Sequence, residues 1–95
     1  MVDTRSYEDR RDHGCVEGAV VIHRNVLEWR VDPSSAHRDP AVASRRGPLI
    51  VMCQQGYSSS LAAATLQQLG VLDATDLEGG FEAWVAAGLP VVPGP

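Results

Sequence analysis

Leu49–Gly70 reads LIVMCQQGYSSSLAAATLQQLG, and its interpretation sets the frame for the rest of the chain. Leu49-Ile50-Val51-Met52 is a continuous apolar run, the pattern of a strand buried on both faces of a parallel sheet. Gly47-Pro48 punctuates its start. From Ser59 onward, Leu61, Ala62, Thr65, Leu66 and Leu69 recur at spacings of three and four, which predicts a helix with those side chains on one face and Gly70 as its stop. Between strand and helix lie a cysteine, Cys53, and a short loop. A thiol at the mouth of a helix feels unpaired backbone N–H groups and the positive end of the helix dipole, both of which favour its thiolate.

Toward the N-terminus, Ala19-Val20-Val21-Ile22 is a second run suited to a parallel strand, and Val2-Asp3-Thr4 is a short β-leaning segment. Between them Ser6 is placed to cap a short helix through Arg11, with Glu8 and Asp9 near its positive end and His13-Gly14 ending it. Asn25 is expected to cap a helical turn carrying Val26, Leu27 and Trp29, and Pro40 to open another that includes Val42 and Ala43. Toward the C-terminus, Ala74 to Leu77 is expected to be a strand. Gly79-Gly80 turns the chain into a helix with Phe81, Trp84 and Val85 on one face, closed by Gly88 and Pro90, and Val91–Pro95 reads as a loose tail. Strands alternating with helices predict an open α/β sheet, mostly parallel, with helices on both faces and a crevice at the carboxyl ends of the strands, where Cys53 falls.

The 95 residues suffice for a single domain, 1–95, with one core. Hydrophobic content of 44% and charged content of 21% are those of a globular protein, which excludes disordered and fibrous classes. A net charge of −4 argues against nucleic acid as a partner, and the adjacent cation pairs Arg10-Arg11 and Arg45-Arg46 suit solvated faces better than a phosphate-binding stripe. No apolar stretch reaches membrane-span length and the N-terminus lacks signal-peptide order, so neither membrane nor export is expected and a reducing cytoplasm is the default. Cys15 and Cys53 do not form a disulfide framework, so each is an inert hydrophobe or a working thiol.

The loop Cys53-Gln54-Gln55-Gly56-Tyr57-Ser58 is short enough to turn successive amides toward the thiol as an anion nest, with Gly56 permitting the curvature. Ser58, Ser59 and Ser60 are available to donate to the sulfur or to cap the helix. A cysteine–histidine pair has three histidines to draw on, His13, His23 and His37, but none has a context that marks it as a base. No metal-ligand spacing is present, and no metal or other cofactor is expected. Cysteine-dependent phosphatases also place a cysteine before a helix, and close the loop with an arginine six positions on that clamps the phosphate. That position here is Ser59, and no arginine follows Arg46, so the loop lacks the charge for a phosphate dianion.

Five stretches in order resemble the rhodanese-like sulfurtransferases of the small single-domain type. Cys53 to Ser59 is similar to the family's C-x-x-G-x-[RST]-S loop, Val2-Asp3-Thr4-Arg5 to its D-x-R strand end, and Gly14–Ala19 to its G-H-I-P-G-A turn. Gly79–Trp84 is similar to its G-G-x-x-x-W motif and Gly88-Leu89-Pro90 to its closing G-x-P. The resemblance implies an enzyme in which Cys53 takes a sulfane sulfur from a small donor such as thiosulfate, as a persulfide, and passes it to a thiol or cyanide. Gln54, Gln55, Gly56, Tyr57, Ser58 and Ser59 would form the substrate loop. Asp3 and Arg5 would have structural roles near the sheet's edge, Gly79 and Gly80 would form the turn, and Trp84 would pack the last helix on the core. A non-catalytic binding or sulfide-sensing module of the same family is the alternative.

Three departures from the pattern carry expectations. Ser58 leaves the loop less positive than an arginine would. Cys15 and Glu17 replace a histidine and a proline, and Cys15 is a candidate resolving thiol. The strand and helix that usually precede D-x-R do not appear ahead of Asp3, so a sheet edge is expected to be less covered, favouring a weak homodimer.

Overall fold

The computed structural model describes residues Met1–Pro95. In chain order its elements are β1 (Val2–Asp3), α1 (Tyr7–His13), β2 (Val20–Val21), a 3₁₀ turn (Arg24–Val26), α2 (Leu27–Val31), α3 (Pro40–Ala43), β3 (Leu49–Met52), α4 (Tyr57–Gln68), β4 (Ala74–Asp76) and α5 (Gly80–Ala86). The four strands form one all-parallel sheet in the order β2-β1-β3-β4. Parallel neighbours need a crossover, and the helices supply it. Val2 and Asp3 pair with Val20 and Val21 on one side and with Val51 and Met52 on the other, so β1 and β3 are the inner strands.

Alternation along the strands sorts their side chains to two faces. Val2, Leu49, Val51 and Ala74 join Leu27, Val31, Val42, Ala62 and Leu66 in one buried cluster, which seats α2, α3 and α4 on that face. Asp3 and Met52 point the other way. On that side the buried Arg5 lies over the ring of Phe81 in α5, its guanidinium carbon 4.0 Å from the ring centroid.

Several expectations are corrected. The buried face of α4 is Ser59, Ala62, Ala63 and Leu66, whereas Leu61 and Leu69 are 56% and 44% exposed. The helix starts two residues earlier than expected, at Tyr57, and small residues let it lie close on β3 and β4. β2 is shortened to two residues because it is an edge strand held by β1 alone, although Ile22 beyond it remains in the core. β4 ends at Asp76, with the Leu77 amide still donating to Val51 O. The 3₁₀ turn is capped by His23, whose Nδ1 accepts from the Asn25 amide, and Asn25 lies inside the turn instead of capping it.

β1 is interior, so Asp3 and Arg5 do not lie at a sheet edge. In α5 it is Phe81, 1% exposed, that enters the core; Trp84 is half-buried and donates its ring N–H to Pro90 O at 2.8 Å, while Val85 is exposed. The tail is held down as well. Val92 and Cys15 exchange two backbone hydrogen bonds of 2.8 Å as an antiparallel bridge.

Candidate active site

Cys53 follows β3 directly, at the carboxyl end of an inner strand, and only 7% of it is exposed. The next residues curl back over it. Gly56, in the left-handed region at φ 92°, points its amide at Sγ (3.0 Å), and the Ser59 amide approaches the same atom at 3.4 Å. Ser59 Oγ lies 3.2 Å from Sγ, accepting from the thiol and, once the thiol has ionised, able to donate to the thiolate. Burial pushes the Cys53 thiol up. The Ser58 and Ser59 hydroxyls and the amides of Ser59 and Gly56 more than offset it, so the thiol titrates below its ordinary value of 9.0.

The three serines divide their tasks. Ser59 is fully buried against the sulfur, Ser60 donates to the Tyr57 carbonyl within its own helix at 2.6 Å, and Ser58, exposed at the cavity mouth, adds its hydroxyl to the groups that favour the thiolate.

The loop is held from behind by the Gly79-Gly80 turn. The Phe81 amide donates to Cys53 O (2.9 Å) and the Glu82 amide to Gln54 O (3.0 Å), so the first turn of α5 satisfies the loop's carbonyls. This contact leaves no room for side chains. A Cβ on Gly80 would sit 2.5 Å from Cys53 O and 2.7 Å from Gly56 N, and one on Gly56 would sit 2.8 Å from Gly79 N. The two glycine motifs, far apart in sequence, are thus one packed unit.

Arg5 holds the loop from the other side. Its Nε and Nη2 grip Asp3 at 2.9–3.3 Å, Nη2 also donates to Gly14 O at 2.8 Å, and Nη1 donates to Gln54 Oε1 at 3.0 Å. With both partners buried, the pair ties β1 to the residue that follows the cysteine.

Above Cys53 opens a depression of about 340 Å³ lined by Thr4, Arg5, Ser6, Asp9, Cys53, Gln54, Gln55, Tyr57 and Ser58. Of the loop residues expected at the site, Cys53, Gln54, Gln55, Tyr57 and Ser58 reach this cavity; Gly56 and Ser59 serve the sulfur from behind. Arg5 faces the cavity too, while Asp3 supports it from below, and Trp84 does not line it. Cys15 and the three histidines do not line it; Cys15 is a free, half-buried thiol whose backbone pairs with Val92, and His37 stacks on Trp29 with ring centroids 4.3 Å apart. The residue that sequence reasoning missed is Asp9. It registered only as a first-turn acid of α1, and no local signal shows that this turn lies over the end of β1 beside Cys53.

A parallel sheet with a single cysteine cradled between an inner strand and the following helix defines a class of thiol-dependent α/β proteins. The rhodanese-like domain family model matches residues 1–87, and the chain belongs to that family. Among curated relatives, it is 46% identical to the thiosulfate sulfurtransferase GlpE of Vibrio cholerae over 44 residues, covering 46% of this chain and 42% of the relative. It is 48% identical to GlpE of Pseudomonas aeruginosa over 44 residues, covering 46% and 40%. The matched segments thus span less than half the length of these relatives. A solved structure from Rhodopseudomonas palustris, a protein of unknown function described as a possible tyrosine phosphatase, superposes with TM-score 0.85 at 33% identity over 95% of this chain and 67% of that one.

Proposed function

We propose that the protein is a sulfurtransferase working through a persulfide on Cys53. The observation that carries this is the convergence of two amides and the Ser59 hydroxyl on Cys53 Sγ at the floor of an open cavity. The thiolate attacks the outer sulfur of a donor such as thiosulfate. A new S–S bond forms to Sγ, the donor's S–S bond breaks, and sulfite leaves with the electron pair. The persulfide sits in the same ring of donors, which stabilises either anion. A thiol or cyanide then attacks the terminal sulfur, and the Sγ–S bond breaks to restore the thiolate, a ping-pong sequence on one residue.

Phosphoryl transfer, which the description of the Rhodopseudomonas palustris neighbour brings into question, fits the site poorly. Ser59 stands where a clamping arginine would be required, and Arg5, the cation at the cavity, is already bound by Asp3, Gly14 and Gln54. Thiosulfate or inorganic polysulfide is expected to add sulfur to Cys53, detected by intact mass. A generic aryl phosphate is expected to remain uncleaved, and turnover of it through Cys53 would overturn the assignment.

A further inference from the structure

The charges around the cavity do not balance. Arg5 is the cation that lines it, and its guanidinium is matched by the Asp3 carboxylate, with further N–H groups on Gly14 O and Gln54 Oε1 and one face on Phe81. α4 brings no charged residue at all. Asp9 also lines the cavity, and its carboxylate takes no hydrogen bond and forms no ion pair, although its amide is held by Ser6 Oγ. Neither neighbouring cation lines the cavity or pairs with Asp9: the Arg10 guanidinium forms no ion pair and lies 5.9 Å from the ring of Tyr7, and Arg11 is paired with Asp12 at 2.8 Å. A first-turn acid also suits the helix dipole, but Glu8 fills that role without facing the cavity.

We infer that Asp9 makes this site select its sulfur acceptor by charge, favouring an aminothiol, whose ammonium group answers the unopposed carboxylate, over neutral and anionic thiols. The inference rests on the sulfurtransferase reading and concerns its second half. There the acceptor thiolate attacks the terminal sulfur of the Cys53 persulfide; the acceptor's S–S bond forms, the Sγ–S bond breaks, and the electron pair stays on Cys53. A ligand charge roughly 8 Å from a carboxylate, in a solvated cavity, shifts occupancy about threefold in each direction, so cation and anion should differ by about tenfold.

The test loads Cys53 with inorganic polysulfide, removes the excess, and follows discharge by cysteamine, 2-mercaptoethanol and 2-mercaptoethanesulfonate. Each rate is corrected for thiolate fraction and for the same thiol's rate with a small disulfide. The wild type is expected to rank cation over neutral over anion, with a spread of about tenfold that shrinks in high salt. Asp9→Asn should bring the spread within about twofold, and Asp9→Glu should keep most of it. Equal corrected rates in the wild type, or an unchanged ranking in Asp9→Asn with Asp9→Glu folded and loaded, would overturn the inference while leaving the persulfide chemistry intact. Failure of polysulfide to load Cys53 would instead overturn the reading on which it rests.

Discussion

Ser59 has no exposed surface, an unusual position for a serine, and the reason is that both its hydroxyl and its amide face Cys53 Sγ. A hydrogen bond to a charged group contributes about 1.5–3 kcal/mol, so Ser59→Ala should move the titration of Cys53 upward. In the wild type, alkylation of Cys53 by iodoacetamide should reach half its maximal rate below pH 9.0, and in Ser59→Ala at a higher pH than that. The sign carries over to stability. A thiol whose folded pKa is depressed stabilises the fold fully above its ordinary value and loses that contribution as pH falls through the folded one. The gap in urea midpoint between wild type and Ser59→Ala should therefore widen as pH rises toward 9.0, and a gap independent of pH would count against an ionised cradle.

At the scale of elements, the short contact between the cysteine loop and the start of α5 makes the sharpest demand on sequence. Gly80 has φ 64°, and a methyl group there would press on Cys53 O and Gly56 N. Gly80→Ala should destabilise the protein by about 2–4 kcal/mol, combining backbone strain with displacement of the loop, and should slow sulfur loading in the fraction that remains folded. Urea unfolding together with loading kinetics measures both. Such coupling explains what was legible beforehand. β3 and the cysteine loop could be read because an apolar run, a glycine and a helical period are local signals, and a mostly parallel sheet followed from strands alternating with helices; all four strands are in fact parallel. The face of α4 could not be read correctly, because Ser59 and Ala63 are buried for reasons of chemistry and close approach, not hydrophobicity. Asp3 and Arg5 were legible as a motif but not as a brace on Gln54, since that contact joins residues 49 apart in sequence.

Taken whole, the molecule is tied together around the site from both ends of the chain. β1 supplies the Arg5 brace, and the last residues return to pair with Cys15, just after α1, whose first turn overlooks the cavity. Trp84 contributes by holding Pro90, which aims the tail toward that pairing. Removing Val91–Pro95 deletes two backbone hydrogen bonds and the partly buried Val92, and should lower unfolding stability by about 1–3 kcal/mol, measurable by thermal melts. An unchanged melting temperature would mean that the tail only rests on the surface. The central claim, that this scaffold exists to carry sulfur on one thiol, is tested most directly by the intact mass of the protein after exposure to thiosulfate or polysulfide. One added sulfur on the wild type, absent in Cys53→Ser and removed by a thiol acceptor, is the predicted result; no added sulfur from either donor, or equal addition to Cys53→Ser, would contradict it.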